Sequence, residues 1–387
     1  MELNDRVSAI APSLTLAIDA KAKALIAAGE KVCGFGAGEP DFDTPEHVKD
    51  AAAKALREGK TKYAPNDGIL ELRVAIADKL AFENKLSYKI EQIVVSNGAK
   101  HSLFNIFMAL CREGDEIIIP APFWLSYPEM VRVAGGKPVF VHGLEAHGLK
   151  VTASQVEAAI TKRTKAIVLN SPSNPTGMVY AREELRALAE VAVKHNLSII
   201  SDEIYERMVY DGVEAVSVGS LSSEIFKRTI TVNGFSKPYA MTGWRLGYFA
   251  GPMELVKAAS ALQSHSTSAP NTFAQYGAVA ALRGSQDCVT KMVKAFDERR
   301  QYLFNRLTAM KGITCVRPAG AFYVFPNISA LGLSSIDFAQ KLLEQEKMAV
   351  VPGLPFGADE NIRLSYACSM SNIEEGMMRL ERFIKKL

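Results

Sequence analysis

Through the middle of the chain, short apolar runs alternate with stretches of helical periodicity. Gln92–Ser96 (QIVVS) reads as a strand, and the following GAKHSLFNIFMAL places Leu103, Phe107 and Leu110 on one helical face. Further strands are predicted at DEIIIP, at KPVFV after Gly136, at Lys165–Asn170 (KAIVLN), at LSIISDE, at RTITVN and at LGYFAG. Between them, Arg182–His195 is amphipathic, with Leu185, Leu188, Ala189 and Ala192 on one stripe. Strands that are apolar on both faces and separated by helices predict an α/β fold with a mostly parallel sheet sandwiched by helices. Ligands of such sheets bind beyond the carboxyl ends of the strands. Asn97–Lys100, Asn170–Asn174, Asp202 and Ser236–Lys237 fall there.

Near Ser285 the pattern changes. A long charged helix is predicted over roughly Gln286–Met310, short strands near Thr314–Val316 and Phe322–Phe325, and a helix over SSIDFAQKLLEQE. A final helix opens at Ser371, which has capping-box spacing to Glu374. These elements describe a smaller α+β domain, on which a helix near Leu14–Ala28 would pack. The expected division is 1–44 as an N-terminal segment joined to the small domain, 45–284 as the large domain and 285–387 as the small one, with the site between them.

Composition narrows the class. The 387 residues carry 45 basic and 42 acidic side chains, too even a balance to argue for nucleic acid or an anionic membrane as partner. The five cysteines form no CxxC pair and the six histidines no ligand-like spacing, so neither a disulfide framework nor a metal site is expected. The opening MELNDRVSAIAPSLTLAID is broken by charges and proline, unlike a signal peptide, and no run of 18 apolar residues occurs. A cytoplasmic protein is the expectation.

The candidate chemistry centres on Thr231–Tyr248, TVNGFSKPYAMTGWRLGY. Lys237 follows an apolar strand among few charges. It is either a solvated surface lysine or an amine of reduced solvation, lowered pKa and readiness to condense with an aldehyde cofactor. Arg245 lies in an apolar setting; if buried it needs an anion, and a phosphate ester fits its fork. Asp202 closes the strand of IISDEIY, either as a turn or helix cap or as a partner for a protonated ring nitrogen, and Tyr205 could reach the same pocket. NSPSNPTG (Asn170–Gly177) is explained by a rigid turn, with Asn174–Pro175 a candidate cis peptide; the Asn174 amide could equally donate to a cofactor oxygen. SNGAKHS joins strand to helix through Gly98, leaving N–H groups that favour a phosphate. Trp124 is either a core aromatic or a platform for a flat ring. Arg363, in NIRLSYA, is either a paired structural arginine or a clamp for a substrate carboxylate.

Taken in order, GAGEPDFDTP, KYAPNDGILELR, NGAKHSLFN, NSPSNPTG, SDEIYE, FSKPYAMTGWRLGY, GAFYVF and IRLSYA resemble the class I pyridoxal-phosphate-dependent aminotransferases of fold type I. More narrowly, they resemble the bacterial aspartate aminotransferase branch Ib, over essentially the whole chain. The resemblance implies pyridoxal 5′-phosphate as cofactor and a ping-pong reaction. By it, Lys237 links to the cofactor and shuttles a substrate proton, Asp202 pairs with the ring nitrogen, Tyr205 and Asn174 hydrogen-bond the phenolic oxygen, and Trp124 stacks on the ring. Ala99 and Lys100 (through backbone N–H), Ser236 and Arg245 would hold the phosphate, joined by Tyr63 from the neighbouring subunit of a homodimer. Arg363 and the Gly38 backbone, assisted by Asn174, would bind the α-carboxylate. Well-known members carry a phosphate-binding serine three residues before the lysine, where this chain has Gly234.

Substrate choice is the finer question. Lys100 and Thr15 match the branch's positions for a distal carboxylate, which implies aspartate or glutamate with 2-oxoglutarate or oxaloacetate. Prephenate aminotransferases of the branch use the same two positions and are the alternative, followed by an aromatic or broad-specificity aminotransferase. A pyridoxal-phosphate lyase shares the fold and the lysine.

Overall fold

The predicted strands assemble into one seven-stranded sheet with helices on both faces. The computed structural model describes residues 4–8, 10 and 14–387, with backbone alone for 14–19. In chain order the strands are β1 (Cys33–Gly34), β2 (Ile93–Ser96), β3 (Glu116–Ala121), β4 (Lys137–His142), β5 (Thr164–Asn170), β6 (Ser198–Asp202), β7 (Thr229–Gly234), β8 (Gly247–Ala250), β9 (Tyr323–Val324), β10 (Met348–Ala349), β11 (Val351–Pro352) and β12 (Ile362–Ser365). The large sheet runs β2-β8-β7-β6-β5-β3-β4, with β4, β3, β5, β6 and β7 parallel. The link 235–246 holds one short turn (Thr242–Trp244) and no crossover helix, so β8 returns antiparallel to β7 and β2.

Alternation along the strands divides the core. Val94, Ile117, Ile119 and Ile200 pack with the Ala99–Leu110 and Met253–Ser264 helices. Their neighbours Ile93 and Val95 face the Leu70–Phe82 and Thr272–Arg283 helices, and Ile118 and Ile199 face Arg182–Lys194. β4 is an edge and the most exposed strand, which accommodates Pro138 and its missing N–H. In the parallel register Asn170 is the partner of Asp202, so the ends of β5 and β6 present both residues side by side.

The C-terminal part packs the Asp287–Thr308, Ser335–Glu346 and Met370–Ile384 helices around a three-stranded sheet, β11-β12-β9. β1 pairs with β10, tying the N-terminal segment here. The shared core holds Phe35, Phe296, Phe322, Phe338 and Phe383 and also takes in Ile204 and Tyr205 from the turn after β6. Two expectations need correction. The last helix is capped by Ser369, whose hydroxyl accepts from Asn372 N–H, so Ser371 lies inside the first turn. Thr314–Val316 forms no strand; Thr314 makes only an isolated bridge to Asn327.

Arg300 fastens this part to the turn after β6. It is 1% exposed, bonded to Asp297 (2.8 and 2.5 Å), to Asp211 (2.8 Å twice) and to the Pro318 carbonyl (2.7 Å), and it lies 4.7 Å from the Tyr210 ring. Asp211 and Asp297 remain partly hydrated. Arg300→Met is therefore expected to destabilise by about 2 kcal/mol, less than for a fully buried pair. The bonds from Arg300 hold the Asp211 carboxyl well below its usual range, so this stabilisation is present above about pH 4 and fades as pH falls further. Urea unfolding of parent and variant at pH 7 and pH 3 measures both; an equal gap at the two pH values would refute the linkage.

Candidate active site

The carboxyl ends of β5, β6 and β7 open into a cleft of about 310 Å³ lined by Gly38, Ala99, Lys100, Trp124, Asn174, Asp202, Tyr205, Ser236, Lys237 and Arg245, among others. These residues come from six separate stretches of sequence. The large sheet gathers all but Gly38, because each of the others closes one of its strands or lies in the segment after one; Gly38 comes from the stretch after β1, in the separate β1–β10 sheet. The peptide before Pro175 is cis, as are those before Pro122 and Pro172.

Lys237 lies at the cleft floor, its Nζ donating to the Gly38 carbonyl and 5.9 Å from the Tyr205 and Phe322 rings. Burial pulls its pKa down to about 8; Glu39 opposes that shift, while Arg363 and Arg245 add to it. Such an amine is far more available as a nucleophile at neutral pH than a solvated lysine. Asp202 is 4% exposed and accepts from Tyr127 Oη (2.6 Å) and from Ile204 N–H (3.3 Å). Burial raises its pKa to about 6, with Tyr127, Ile204 and Lys237 working against the rise. A buried carboxylate whose nearest cation is across the cleft suits a partner that brings its own positive charge.

Arg363 projects from β12 and is nearly buried between the rings of Tyr323 (4.5 Å) and Phe356 (5.1 Å). It donates to Asn174 Oδ1 and to the Gly36 carbonyl, each at 3.0 Å. Its Nε has no partner, and burial lowers its pKa. No carboxylate meets it among the described contacts, so the paired structural arginine is the weaker of the two readings. A guanidinium fork with a buried unmatched donor is built to receive an anion.

Arg245 is exposed to the cleft rather than buried. Among the described residues its guanidinium donates to the carbonyls of Thr242 (2.8 Å) and Asn97 (3.4 Å). Beside it the chain is stripped of side chains. A Cβ on Gly98 (φ +86°) would come 2.7 Å from Arg245 Nη2, and one on Gly247 would come 2.2 Å from Ala99 N. A guanidinium with no carboxylate partner among the described residues, beside the Gly98 turn that opens the Ala99–Leu110 helix, fits a phosphate. Gly234 has a packing reason: its Cβ would lie 3.0 Å from Gly247 Cα and 3.2 Å from Ile204 Cδ1, and it does not line the cleft. Together the desolvated amine, the buried carboxylate and this cradle fit pyridoxal phosphate.

Lys100 lines the cleft with its side chain partly open to solvent, 5.1 Å from the Trp124 ring, its pKa lowered by desolvation and by Arg245. Tyr63 is 99% exposed and lies outside the cleft, beside a separate hollow lined by residues 61–64 and 269–273. The side chain of Thr15 lies outside the described residues.

Two site residues were not predicted. Tyr127 lies in the first turn of the Ser126–Val133 helix, three residues after Trp124, which precedes that helix, and its hydroxyl donates to Asp202. Tyr323 was present in GAFYVF; its hydroxyl meets that of Tyr205 at 2.9 Å, and burial raises its pKa.

Among the described residues no cluster of three metal-ligating side chains occurs, and no helix is long and apolar enough to cross a membrane. Residues 30–380 match the family model of aminotransferase class I and II. The chain is 50% identical to an aspartate aminotransferase of Bacillus subtilis, with 100% of both chains covered. It is 51% identical to a probable aspartate/prephenate aminotransferase of Aquifex aeolicus, over 100% of this chain and 99% of the other. The solved structure of Thermus thermophilus aspartate aminotransferase with maleate superposes with a TM-score of 0.95 at 47% identity, covering 99% of each chain. With a matching family model over nearly its whole length and full-length relatives at this identity, the chain belongs to the class I and II aminotransferases and is a pyridoxal-phosphate-dependent enzyme of that family.

Proposed function

We propose that the enzyme moves an amino group between aspartate or glutamate and 2-oxoglutarate or oxaloacetate by a ping-pong mechanism. The observation that carries this reading is the charge inventory of the cleft. With Asp202 and Glu39 as the anions of the lining, Arg245 has a phosphate to hold and Arg363, which is bonded to the lining residue Asn174, an α-carboxylate; this leaves Lys100 at the wall as a cation for a second carboxylate. The maleate named with the Thermus structure is itself a dicarboxylate.

When bound, pyridoxal phosphate supplies the electron sink for charge developing at the substrate Cα. Arg363, Asn174 and the Gly38 backbone orient the α-carboxylate. The Lys237 amine would hold the cofactor and carry the proton from Cα. Asp202, itself held by Tyr127, would pair with the ring nitrogen and keep it protonated. Tyr205 and Asn174 would bind the phenolic oxygen, Trp124 would stack on the ring, and Ser236, Arg245 and the Ala99 and Lys100 N–H groups would hold the phosphate.

The same proposal includes a homodimer in which Tyr63 reaches the neighbouring site; a fully exposed tyrosine beside an open hollow is what an interface would cover. It places the division at 44/45 and 284/285, supported by the β1–β10 pairing and by Phe35 in the C-terminal core. It places the reaction in the cytoplasm, in keeping with five free cysteines. Prephenate is the second acceptor class, favoured by the name of the Aquifex relative. Turnover of aspartate, glutamate and aromatic donors against 2-oxoglutarate, oxaloacetate and prephenate decides between them. Lys100→Gln is expected to raise KM for aspartate about tenfold and leave an aromatic donor within about twofold; equal effects on both donors would overturn the distal role.

A further inference from the structure

Behind the turn that carries Asp202 and Tyr205 lies a second set of buried charges that the reading above does not use. Glu203 and Glu206 are the chain neighbours of those two residues, yet neither lines the cleft. Glu203 Oε1 accepts from Ser201 Oγ (2.8 Å) and Val218 N–H (3.3 Å), and its Oε2 accepts from Ser217 Oγ (2.6 Å). Asn84 joins the two acids, its Nδ2 donating to Ser217 Oγ and to Glu206 Oε2 at 2.6 Å each. Lys79, itself buried, donates to Asn84 Oδ1 (2.7 Å) and pairs with Glu206. Arg207 and Glu83 close the outer edge at 2.5 and 2.7 Å.

Stability alone gives no reason for this arrangement. A buried Glu203 and a mostly buried Glu206 cluster beside one buried lysine, and an apolar cluster of equal volume would do as well or better. Burial lifts the Glu203 carboxyl to about 7, whereas Lys79 and Asn84 hold Glu206 below its usual value despite burial. What the network does supply is fixed geometry. The turn has few bonds of its own: Glu203 N–H to the Val232 carbonyl, Glu206 N–H to Glu203 and Met208 N–H to Tyr205. The acids anchor its far side to Lys79 and Asn84, at the end of the Leu70–Phe82 helix, while Asp202 and Tyr205 occupy the cleft side.

We propose that Glu203 and Glu206, clasped by Lys79, Asn84 and Ser217, are positioning residues that hold the Asp202–Tyr205 turn in register with the cofactor ring. The proposal rests on the reading that Asp202 and Tyr205 face that ring. The test titrates cofactor-free protein with pyridoxal phosphate and records the visible circular dichroism of the holoenzyme, which reports the ring's orientation. Glu206→Gln is expected to weaken cofactor affinity about tenfold and to change the dichroism. Leu343→Ala, a cavity variant in the Ser335–Glu346 helix whose core cluster with Ala22 and Ala349 holds no residue of the network, is expected to lose stability while keeping both readouts. Should Glu206→Gln fail to fold, Ser217→Ala removes the link between Asn84 and Glu203, one donor to the acid and one acceptor from the amide, with about threefold weaker binding and the same change of dichroism expected. A folded Glu206→Gln or Ser217→Ala with parental affinity and dichroism overturns the proposal. Asp202→Ala, measured in parallel, separates the two readings. If it leaves affinity unchanged the site assignment fails, and if it alone weakens binding only the positioning role fails.

Discussion

Lys237→Ala is expected to reduce turnover of aspartate with 2-oxoglutarate by about 10⁴-fold or more, because one residue supplies both the covalent attachment and the proton transfer. The fold prepares that amine in two ways. Burial lowers its pKa from the ordinary lysine value to about 8, and Arg363 and Arg245 push the same way. The carbonyl of Gly38 holds it at the cleft floor. Lys237→Arg keeps the positive charge without a usable nucleophile and is expected to be as inactive as the alanine variant, which separates charge from chemistry. Intact mass after borohydride reduction gives a readout independent of turnover: the parent gains the mass of the cofactor and both variants gain none. A variant that still carried the mass, or turned over within tenfold of the parent, would show that another amine does the work.

Why Lys237, Asp202 and Asn174 were legible from sequence while Tyr127 and Tyr323 were not has a physical basis. Asp202 ends β6, and Asn174 and Lys237 lie four and three residues past the ends of β5 and β7; polar residues at or just beyond the end of a buried strand of a parallel sheet fall at the ligand edge whatever the details of packing. Their side-by-side placement follows from register, Asn170 opposite Asp202, which the runs imply once the strands are adjacent. Tyr127 and Tyr323 act through hydrogen bonds across the fold, to Asp202 and Tyr205, and no local pattern distinguishes them from core tyrosines. The apolar neighbours of Arg245 leave open whether it is buried. It sits at φ +54° after the Thr242–Trp244 turn, which aims it into the cleft. Glu203 and Glu206 look in sequence like solvated charges in a helix-forming stretch. Only the tertiary fold shows that both are buried against Lys79 and Asn84.

Asp202→Asn is expected to separate what stabilises the cofactor-free protein from what the chemistry needs. Burial lifts the Asp202 carboxyl to about 6 against an unfolded value of 3.8, even though Tyr127, the Ile204 N–H and Lys237 favour the anion. The folded chain therefore takes up a proton more readily than the unfolded one. Its stabilisation is fully present below about pH 4 and lost as pH rises through 6, so at pH 8 the buried charge costs about 3 kcal/mol. Asparagine removes the charge but leaves one of the two donors on Asp202 without an acceptor, which costs about 1 kcal/mol. The cofactor-free variant should accordingly be about 2 kcal/mol more stable than the parent at pH 8, and slightly less stable than the parent at pH 4. Catalysis should move the other way. A neutral amide cannot hold a proton on the ring nitrogen, so turnover should fall about 10³-fold and bound cofactor should be lost more readily. Urea unfolding of both cofactor-free proteins at the two pH values, with turnover of the reconstituted enzymes, tests both halves. A stability difference of constant sign would refute the buried-charge argument. A variant within tenfold of parental turnover would remove Asp202 from the chemistry and leave it a strand-end residue.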